Sequence, residues 1–312
     1  MAVAAGQARA RQARPPDGFR VVTLVISLAA PLALAAIVVI VAQQAAPAIH
    51  RFGFGFLTTQ TWNPVKDRFG SLALIYGTVL TSFMALVLAL PVGVGVALFL
   101  VEPGLARVRG AIGLGVELLA AIPSVVYGIW GLYVLAPWLL VHVSQPLSQR
   151  FPNFPLFEGP ARQTNILIAA VVLAVMVLPT LAAICREVIR AVPAGMREAG
   201  VALGSTWWET TWKIVLPAAR PGIAGATILA LGRALGETIA VTMLIGNRPE
   251  VQPSWLKPAS SLAATIANEF TEATGPIYPA ALMECGLVLM GVTLIINILA
   301  LLLVRSVAPE TT

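Results

Sequence analysis

The chain has 312 residues, of which 58% are hydrophobic and only 11% are charged. A soluble globular domain has about 25% charged residues, so this composition excludes a soluble protein and indicates an integral membrane protein. The net charge of +6 does not indicate nucleic-acid binding, because the cations are spread along the chain and gather on one side of the predicted membrane.

A basic tail of 20 residues precedes the first apolar run and contains four arginines. The apolar core of a signal peptide has about 7–15 residues, and the run 21–42 is longer than that. Its length fits a membrane-spanning helix of about 20 residues. The sequence therefore predicts an uncleaved first span after a cytoplasmic tail, 1–20.

Six apolar runs are long enough to cross the roughly 30 Å hydrocarbon core, where they must be helical to satisfy their backbone polar groups. They are 21–42, 72–100, 111–136, 164–185, 222–246 and 280–304. The sequence therefore predicts an all-α integral membrane protein with one transmembrane domain, 21–304, and a short C-terminal tail, 305–312.

The distribution of Lys and Arg predicts the orientation. With the N-terminus inside, the inner segments hold 12 basic residues and the outer segments hold 7. Basic residues accumulate in cytoplasmic segments, so an N-in/C-in arrangement is predicted. It places 186–221 in the cytoplasm and the loops 43–71, 137–163 and 247–279 outside.

Neither cysteines nor histidines form a recognisable site. Cys185 and Cys285 lie at or inside apolar runs, and His50 and His142 flank predicted helices without a partner motif. We therefore predict no disulfide, no metal site and no histidine catalysis. The chain also lacks a GxxxxGK[ST] loop, so we expect it to bind no cofactor and not to hydrolyse ATP itself.

The chain becomes polar between the fourth and fifth spans, from 192 to 221. Helix-forming residues precede Gly204, which we expect to end a first short helix, as glycine often does. Thr206 is followed three residues later by Glu209, and this spacing predicts a capping box at the start of a second helix.

An apolar stripe follows on the second helix, at Trp208, Trp212 and Val215. We expect Pro217 to end this helix and Pro221 to start the fifth span. Two interpretations remain open from the pattern alone. The pair of helices is either an interfacial connection between two spans or a helix that inserts into a groove of a partner protein.

Two charged residues, Arg233 and Glu237, interrupt the apolar fifth run. Their spacing of four predicts that they share one helix face. Gly232 and Gly236 lie on an adjacent strip and allow a close helix approach. A charge at mid-bilayer costs at least about 2.5–3.5 kcal/mol, so neither charged residue is expected to face lipid.

This charged pair has two interpretations. It either fixes helix packing as an ion pair, or Arg233 neutralises a small anion in transit while Glu237 holds the arginine in place. We favour transit, because intramembrane ionisable residues usually mark function and a guanidinium matches phosphate bidentately. Glu117 and Glu284 also fall inside predicted spans. Either could pair with a basic residue, be protonated, or contact the path of the transported anion.

The polar segment resembles the EAA motif of ABC importer permeases. The matching spacing is Glu198-Ala199-Gly200-x3-Gly204-x9-Ile214-x-Leu216-Pro217. The resemblance implies a type I importer architecture in which this segment forms the coupling helix that docks on a separate ATP-hydrolysing subunit. Gly200 departs from the pattern, because the family usually has a second alanine there.

The run 232–243 resembles the membrane subunits of phosphate ABC importers. Four other stretches agree with the PstC type rather than the PstA type: Trp62-Asn63-Pro64, Gly77-Thr78, 122–128 and Ile245-Gly246-Asn247. This resemblance implies a bacterial plasma (inner) membrane heterodimer with a PstA-type subunit. It also implies two PstB-type ATPase subunits that use the ATP, an external PstS-type phosphate-binding protein, and a role of Arg233 and Glu237 in phosphate passage.

Three alternatives make different predictions. A permease for sulfate or molybdate would keep the same coupling motif. A transporter driven by an ion gradient would show internal repeats with helix breaks in both halves, but neither the 198–217 pattern nor the intramembrane Arg-x3-Glu has a second copy. A membrane enzyme would need His or carboxylate residues clustered near one interface, and the acids here are scattered.

Overall fold

The computed structural model describes residues 17–101 and 106–307. Most of the predicted N-terminal tail and the last residues of the predicted C-terminal tail lie outside this range. The α-helices are α1 (Asp17–Phe52), α2 (Gly55–Thr58), α3 (Leu72–Val101), α4 (Ala106–Ala121), α5 (Ser124–Trp130), α6 (Ala136–Leu139), α7 (Gln145–Arg150), α8 (Ile166–Arg190), α9 (Ala194–Ala202), α10 (Trp207–Thr210), α11 (Leu216–Leu235), α12 (Ile239–Ile245), α13 (Leu262–Glu269) and α14 (Ile277–Val307).

Shorter helical stretches complete the regular structure of these residues. They are the 3-10 turn Pro64–Lys66 and the π-helical stretches Gly131–Leu135, Leu140–Ser144 and Thr211–Val215. One isolated antiparallel bridge pairs Asn63 with Arg68. The described residues are therefore almost wholly helical, as predicted.

Six helical segments of the described residues are long and apolar enough to cross a membrane, which confirms the predicted number. They are Val21–Phe52, Leu72–Val101, Ser124–Arg150, Ile166–Arg190, Trp207–Leu235 and Ile277–Val304. The second, fourth and sixth agree closely with the predicted bounds. The first continues to Phe52, beyond the predicted end at 42, because the helix also includes the polar residues Gln43 and Gln44.

The third span begins later than predicted. The run 111–136 is divided, because α4 ends at Ala121 and α5 begins at Ser124 after Pro123. Proline has no N–H to donate and disfavours a helical conformation in the residue before it. Pro123 itself is extended, with φ −59° and ψ 142°. The long apolar helix therefore runs from Ser124 to Arg150.

The fifth span begins earlier than predicted, because Pro217 does not end a helix. The helix runs without interruption from Trp207 to Leu235. The Leu216 N–H donates to the Thr211 carbonyl five residues back, so a π-helical turn leads directly into Pro217. This wider turn accommodates the proline, which has no N–H to donate, without ending the helix. Pro221 lies inside α11 rather than at the start of a new span.

The main core forms around α3 and α8, against which α5, α11 and α12 pack. Small residues bring the helices close together. A methyl group on Gly93 of α3 would lie 3.0 Å from Leu181 Cδ2 of α8, and one on Gly222 of α11 would lie 2.3 Å from Val188 Cγ1. Close contact of this kind stabilises helix pairs in lipid, where hydrophobic burial supplies little driving force.

A second cluster joins α1, α13 and α14 to the start of α3, at the end of the bundle opposite α9. Phe69 stacks on Tyr278, with ring centroids 5.3 Å apart, and contacts the ring of Trp62 edge-on. The Trp62 Nε1–H and the Tyr278 hydroxyl both donate hydrogen bonds to the Glu269 carboxylate. The Trp62-Asn63-Pro64 stretch is therefore fixed to α13 and α14.

Gly77 and Thr78 hold the segment before α13 against α3. The Leu262 N–H donates to Thr78 Oγ1 over 2.9 Å, so this hydroxyl helps to cap α13. A methyl group on Gly77 would lie 2.0 Å from the Ser260 carbonyl oxygen. Glycine is therefore required for the approach of the Ser260 backbone to α3.

Gly77→Ala is expected to destabilise the protein by about 1–3 kcal/mol, because a backbone carbonyl cannot move aside as a flexible side chain can. The measurement is the thermal midpoint of the purified protein in detergent, followed by tryptophan fluorescence. Gly95→Ala is the matched control, because Gly95 lies on the same helix with open space around it. Equal midpoints for the two variants would contradict the assignment.

Candidate functional site

The EAA-like segment folds as two short helical elements separated by a tight turn. Helix α9 begins directly after Pro193, and its last residue, Ala202, is followed by Leu203 and Gly204. Gly204 has φ +87°, a left-handed conformation that glycine adopts without strain. The predicted role of Gly204 in ending this helix is confirmed.

The predicted capping box is also confirmed. Thr206 Oγ1 accepts a hydrogen bond from the Glu209 N–H over 3.3 Å, and Glu209 Oε2 accepts one from the Thr206 N–H over 3.0 Å. These reciprocal bonds satisfy backbone donors that a helix start leaves unpaired. They fix the point at which the helix that continues into the fifth span begins.

The predicted stripe of Trp208, Trp212 and Val215 does not form one buried face. Both tryptophans are exposed and contact each other edge-on at 5.5 Å, whereas Val215 is buried. The π-helical stretch Thr211–Val215 has more residues per turn than an α-helix. The i+7 spacing therefore does not return Val215 to the tryptophan face.

The seven residues of the EAA-like motif divide into an exposed group and a packed group. Glu198 and Ala199 are exposed on α9, next to Leu203, which is 87% exposed. Gly200, on the opposite side, is buried. Ile214, Leu216 and Pro217 are half-buried along the start of the fifth span, and Gly204 forms the turn between α9 and that span.

Gly200 is the point of closest contact between α9 and the fifth span. A methyl group there would lie 2.6 Å from Ile214 Cδ1 and 3.1 Å from Thr210 Cγ2. Two positions of the motif, 200 and 214, are therefore in direct contact. This packing gives a physical reason for glycine where the family pattern has alanine, which the sequence alone did not reveal.

Arg197 is a residue of this segment that the sequence analysis missed. Its Nη2 donates to the Ile189 carbonyl oxygen over 2.8 Å. Ile189 lies in the last turn of α8, where carbonyl groups lack helical partners. The bond ties α9 to α8. No signal in the sequence indicated this bond, because Arg197 lies twelve residues beyond the predicted end of the fourth span at 185.

The sequence predicted that Arg233 and Glu237 share one helix face. In the structure they do not lie on one continuous helix. Helix α11 ends at Leu235, Gly236 follows as its C-cap, and α12 begins only at Ile239. Glu237 Oε1 instead accepts a hydrogen bond from the Ala240 N–H over 3.3 Å. The prediction of a shared face from the spacing of four is wrong, because Gly236 ends the helix between the two charged residues.

Arg233 lies in the last turn of α11, and it is exposed in the isolated chain. Among the described residues, no carboxylate lies within 4.0 Å of its guanidinium. The described contacts therefore do not support a direct ion pair between Arg233 and Glu237.

Two helix breaks are brought together at this site. The first separates α4 from α5 at Pro123, and the second separates α11 from α12 at 236–238. A methyl group on Gly128 of α5 would lie 2.7 Å from Met243 Sδ and 3.2 Å from the Ala240 Cα of α12. Gly128 therefore allows α5, which follows the first break, to pack directly on α12, which follows the second.

The other two candidate acids lie in α4 and α14. Glu117 belongs to α4 rather than to a spanning helix, is mostly exposed, and lies 3.8 Å from Arg186 at the end of α8. It therefore pairs with a basic residue. Glu284, in α14, is 6% exposed, and its Oε2 has no hydrogen-bond partner among the described residues.

Comparison with known proteins identifies the class. Residues 77–311 match the family described as "Binding-protein-dependent transport system inner membrane component". The match covers most of the chain, and the chain therefore belongs to this family of permease subunits. Membership argues against a transporter driven by an ion gradient and against a membrane enzyme.

Within this family the chain is of the PstC type. It is 46% identical over 268 residues to the phosphate transport system permease protein PstC of Mesorhizobium japonicum, covering 85% of this chain and 82% of that protein. It is 40% identical over 293 residues to PstC of Pasteurella multocida, covering 93% of this chain and 91% of that protein. The predicted resemblance is confirmed.

Solved structures confirm the predicted ABC importer permease architecture. A bacterial alginate ABC transporter, in complex with an alginate pentasaccharide-bound periplasmic protein, has a chain that matches with a TM-score of 0.62 at 19% identity. The match covers 93% of this chain and 97% of that chain. A chain of the MetNI methionine ABC transporter matches with a TM-score of 0.59 at 18% identity, and the match covers 76% of this chain and 96% of that chain. At this identity the likeness concerns the fold alone.

Proposed function

We propose that this chain is the membrane-spanning permease subunit of an ATP-driven phosphate import system and forms half of its translocation path. The similarity to PstC proteins along most of their length carries this proposal. The position of Arg233 beside two helix breaks supports it. Broken helices line ion and substrate sites in membrane proteins, because irregular backbone is tolerated only inside protein or beside a cavity.

The proposed assembly contains three other kinds of subunit. A PstA-type permease supplies the other half of the path, two PstB-type ATPase subunits bind and hydrolyse ATP, and a PstS-type protein delivers phosphate from outside. The complex lies in the bacterial plasma (inner) membrane with both termini of this chain in the cytoplasm. The chain itself needs no cofactor.

In the proposed mechanism, the exposed side of α9, with Glu198 and Ala199, docks on an ATPase subunit. ATP binding brings the two ATPase subunits together and moves α9. The packing of Gly200 on Ile214 transmits this motion to the fifth span, and the bond from Arg197 to Ile189 transmits it to α8. Tilting of the spans then opens the path alternately to each side.

The same proposal assigns the substrate contact to Arg233. Its exposed guanidinium is free to bind two phosphate oxygens at once. Glu237 caps α12 and so fixes the break beside it, and its negative charge keeps phosphate from binding too tightly for release. Inorganic phosphate would thus meet one strong cation on this subunit.

The deciding experiment is uptake of radiolabelled phosphate by cells that lack their own high-affinity system. The cells carry this chain with its proposed partners, and the control cells lack only the ATPase subunit. Sulfate and molybdate are tested in parallel. We expect ATPase-dependent uptake of phosphate alone, with the chain present in the membrane at equal abundance in both strains.

Two other results would revise the proposal. Uptake of sulfate or molybdate in place of phosphate would overturn the substrate and retain the permease class. Phosphate uptake that persists without the ATPase subunit would overturn the coupling to ATP.

A further inference from the structure

The break between α4 and α5 leaves a carbonyl group without its helical partner. In a continuous helix the Leu119 carbonyl would accept from the N–H four residues later. That residue is Pro123, which has no N–H. The Ile122 N–H reaches the Leu119 oxygen only over a long 3.3 Å.

Tyr127 supplies the missing donor. Its hydroxyl donates to the Leu119 carbonyl oxygen over 2.8 Å, from the first turn of α5 back to the last turn of α4. Tyr127 is only 5% exposed, so water does not compete freely for this bond. An unsatisfied carbonyl is costly where water is absent, and the hydroxyl removes that cost.

The same tyrosine lies beside the second break. The next residue, Gly128, packs on Ala240 and Met243 of α12, and Arg233 lies in the last turn of α11, directly before the α11–α12 break. The hydrogen bond therefore joins α4 to α5 at the point where α5 packs on α12, next to the α11–α12 break.

We propose that Tyr127 is a positioning residue of the translocation path, whose hydroxyl locks the α4–α5 break and thereby holds α5 against α12 beside Arg233. The inference rests on the proposed function, because it assigns the path to this region. Tyr127 need not touch the substrate, and it acts through the position of α5 and α12.

The test compares Tyr127→Phe with the wild-type complex in proteoliposomes that contain the partner subunits and loaded binding protein. Tyr133→Phe is the matched control, because Tyr133 lies in the same span and is 72% exposed. We expect Tyr127→Phe to lower phosphate uptake per copy about fivefold, the effect of losing one buried hydrogen bond. ATP hydrolysis per copy should fall less than twofold, so that fewer phosphate ions are carried per ATP.

Two results would overturn the inference. One is uptake per copy within twofold of the wild-type value. The other is an equal loss of uptake and ATP hydrolysis, which a general loss of structure produces. Uptake by the wild-type complex tests the proposed function separately. Should it carry sulfate or molybdate instead, the same comparison with that anion decides the role of Tyr127.

A double-mutant cycle tests the hydrogen bond itself. Pro123→Ala introduces an N–H at position 123, which can donate to the Leu119 carbonyl in place of the tyrosine. We expect Tyr127→Phe to lower the thermal midpoint of the purified complex in the wild-type background and to lower it less in the Pro123→Ala background. Equal decreases in both backgrounds would overturn the assignment.

Discussion

Arg233→Gln is expected to reduce phosphate uptake to the background of cells without the transporter, a loss of about 100-fold or more. Glutamine retains hydrogen-bonding capacity but removes the positive charge that offsets the desolvation of an anion inside the membrane. Arg233→Lys should retain part of the activity, because it keeps the charge and loses the planar, bidentate geometry of the guanidinium. Uptake is measured as initial rate per copy of the chain in the membrane.

Arg248→Gln provides the control for Arg233→Gln. Arg248 is an exposed arginine just beyond α12, outside the candidate spans, so its replacement removes the same charge without entering the proposed path. We expect it to change uptake less than twofold. Full uptake by Arg233→Gln at normal abundance would assign Arg233 to helix packing and leave the path without its proposed cation.

Gly200→Leu is expected to abolish ATP-dependent uptake while the spans still insert. Even the first carbon of the new side chain would lie 2.6 Å from Ile214 Cδ1 and 3.1 Å from Thr210 Cγ2. Overpacking of this kind typically costs about 1–3 kcal/mol, and here α9 can avoid it by moving off the fifth span. Copurification of the ATPase subunit and uptake should both fall at least tenfold. Gly200→Ala should be milder, because the end of the Ile214 side chain can shift.

Gly225→Leu is the matched control on the fifth span, outside the exposed side of α9 that is proposed to dock. A methyl group added at Gly225 would have no neighbouring atom within 4 Å. We expect normal abundance and ATPase copurification above half of the wild-type level. If Gly200→Leu retained both the ATPase subunit and normal uptake, the contact between α9 and the fifth span would have no part in coupling.

The fold could be predicted largely because hydropathy decides which segments lie in lipid. Six spans, the capping box at Thr206 and the helix end at Gly204 all follow from local chemistry. The predicted starts of the third and fifth spans were wrong, because they depend on prolines whose effect is determined by the neighbouring residues. Pro123 breaks a helix, whereas Pro217 is accommodated by the π-helical turn before it.

The arrangement of the candidate site could be predicted only in part. The sequence identified Arg233 and Glu237 as charges within an apolar run, but spacing alone implied a shared helix face. Gly236 was interpreted as a packing residue, and the structure places it at the end of α11. Contacts between distant segments, such as Gly128 with Met243 and Gly200 with Ile214, depend on tertiary packing that periodicity does not encode.

The unbroken helix from Trp207 to Leu235 has a mechanical consequence. Its 29 residues extend about 44 Å at 1.5 Å per residue. The surface that contacts α9 lies near one end, and Arg233 lies near the other. The helix is thus a lever, and a rotation of about 5° around a pivot at one end displaces the other end by about 4 Å. A helix that stopped at Pro217 would have placed a flexible joint between the docking surface and Arg233.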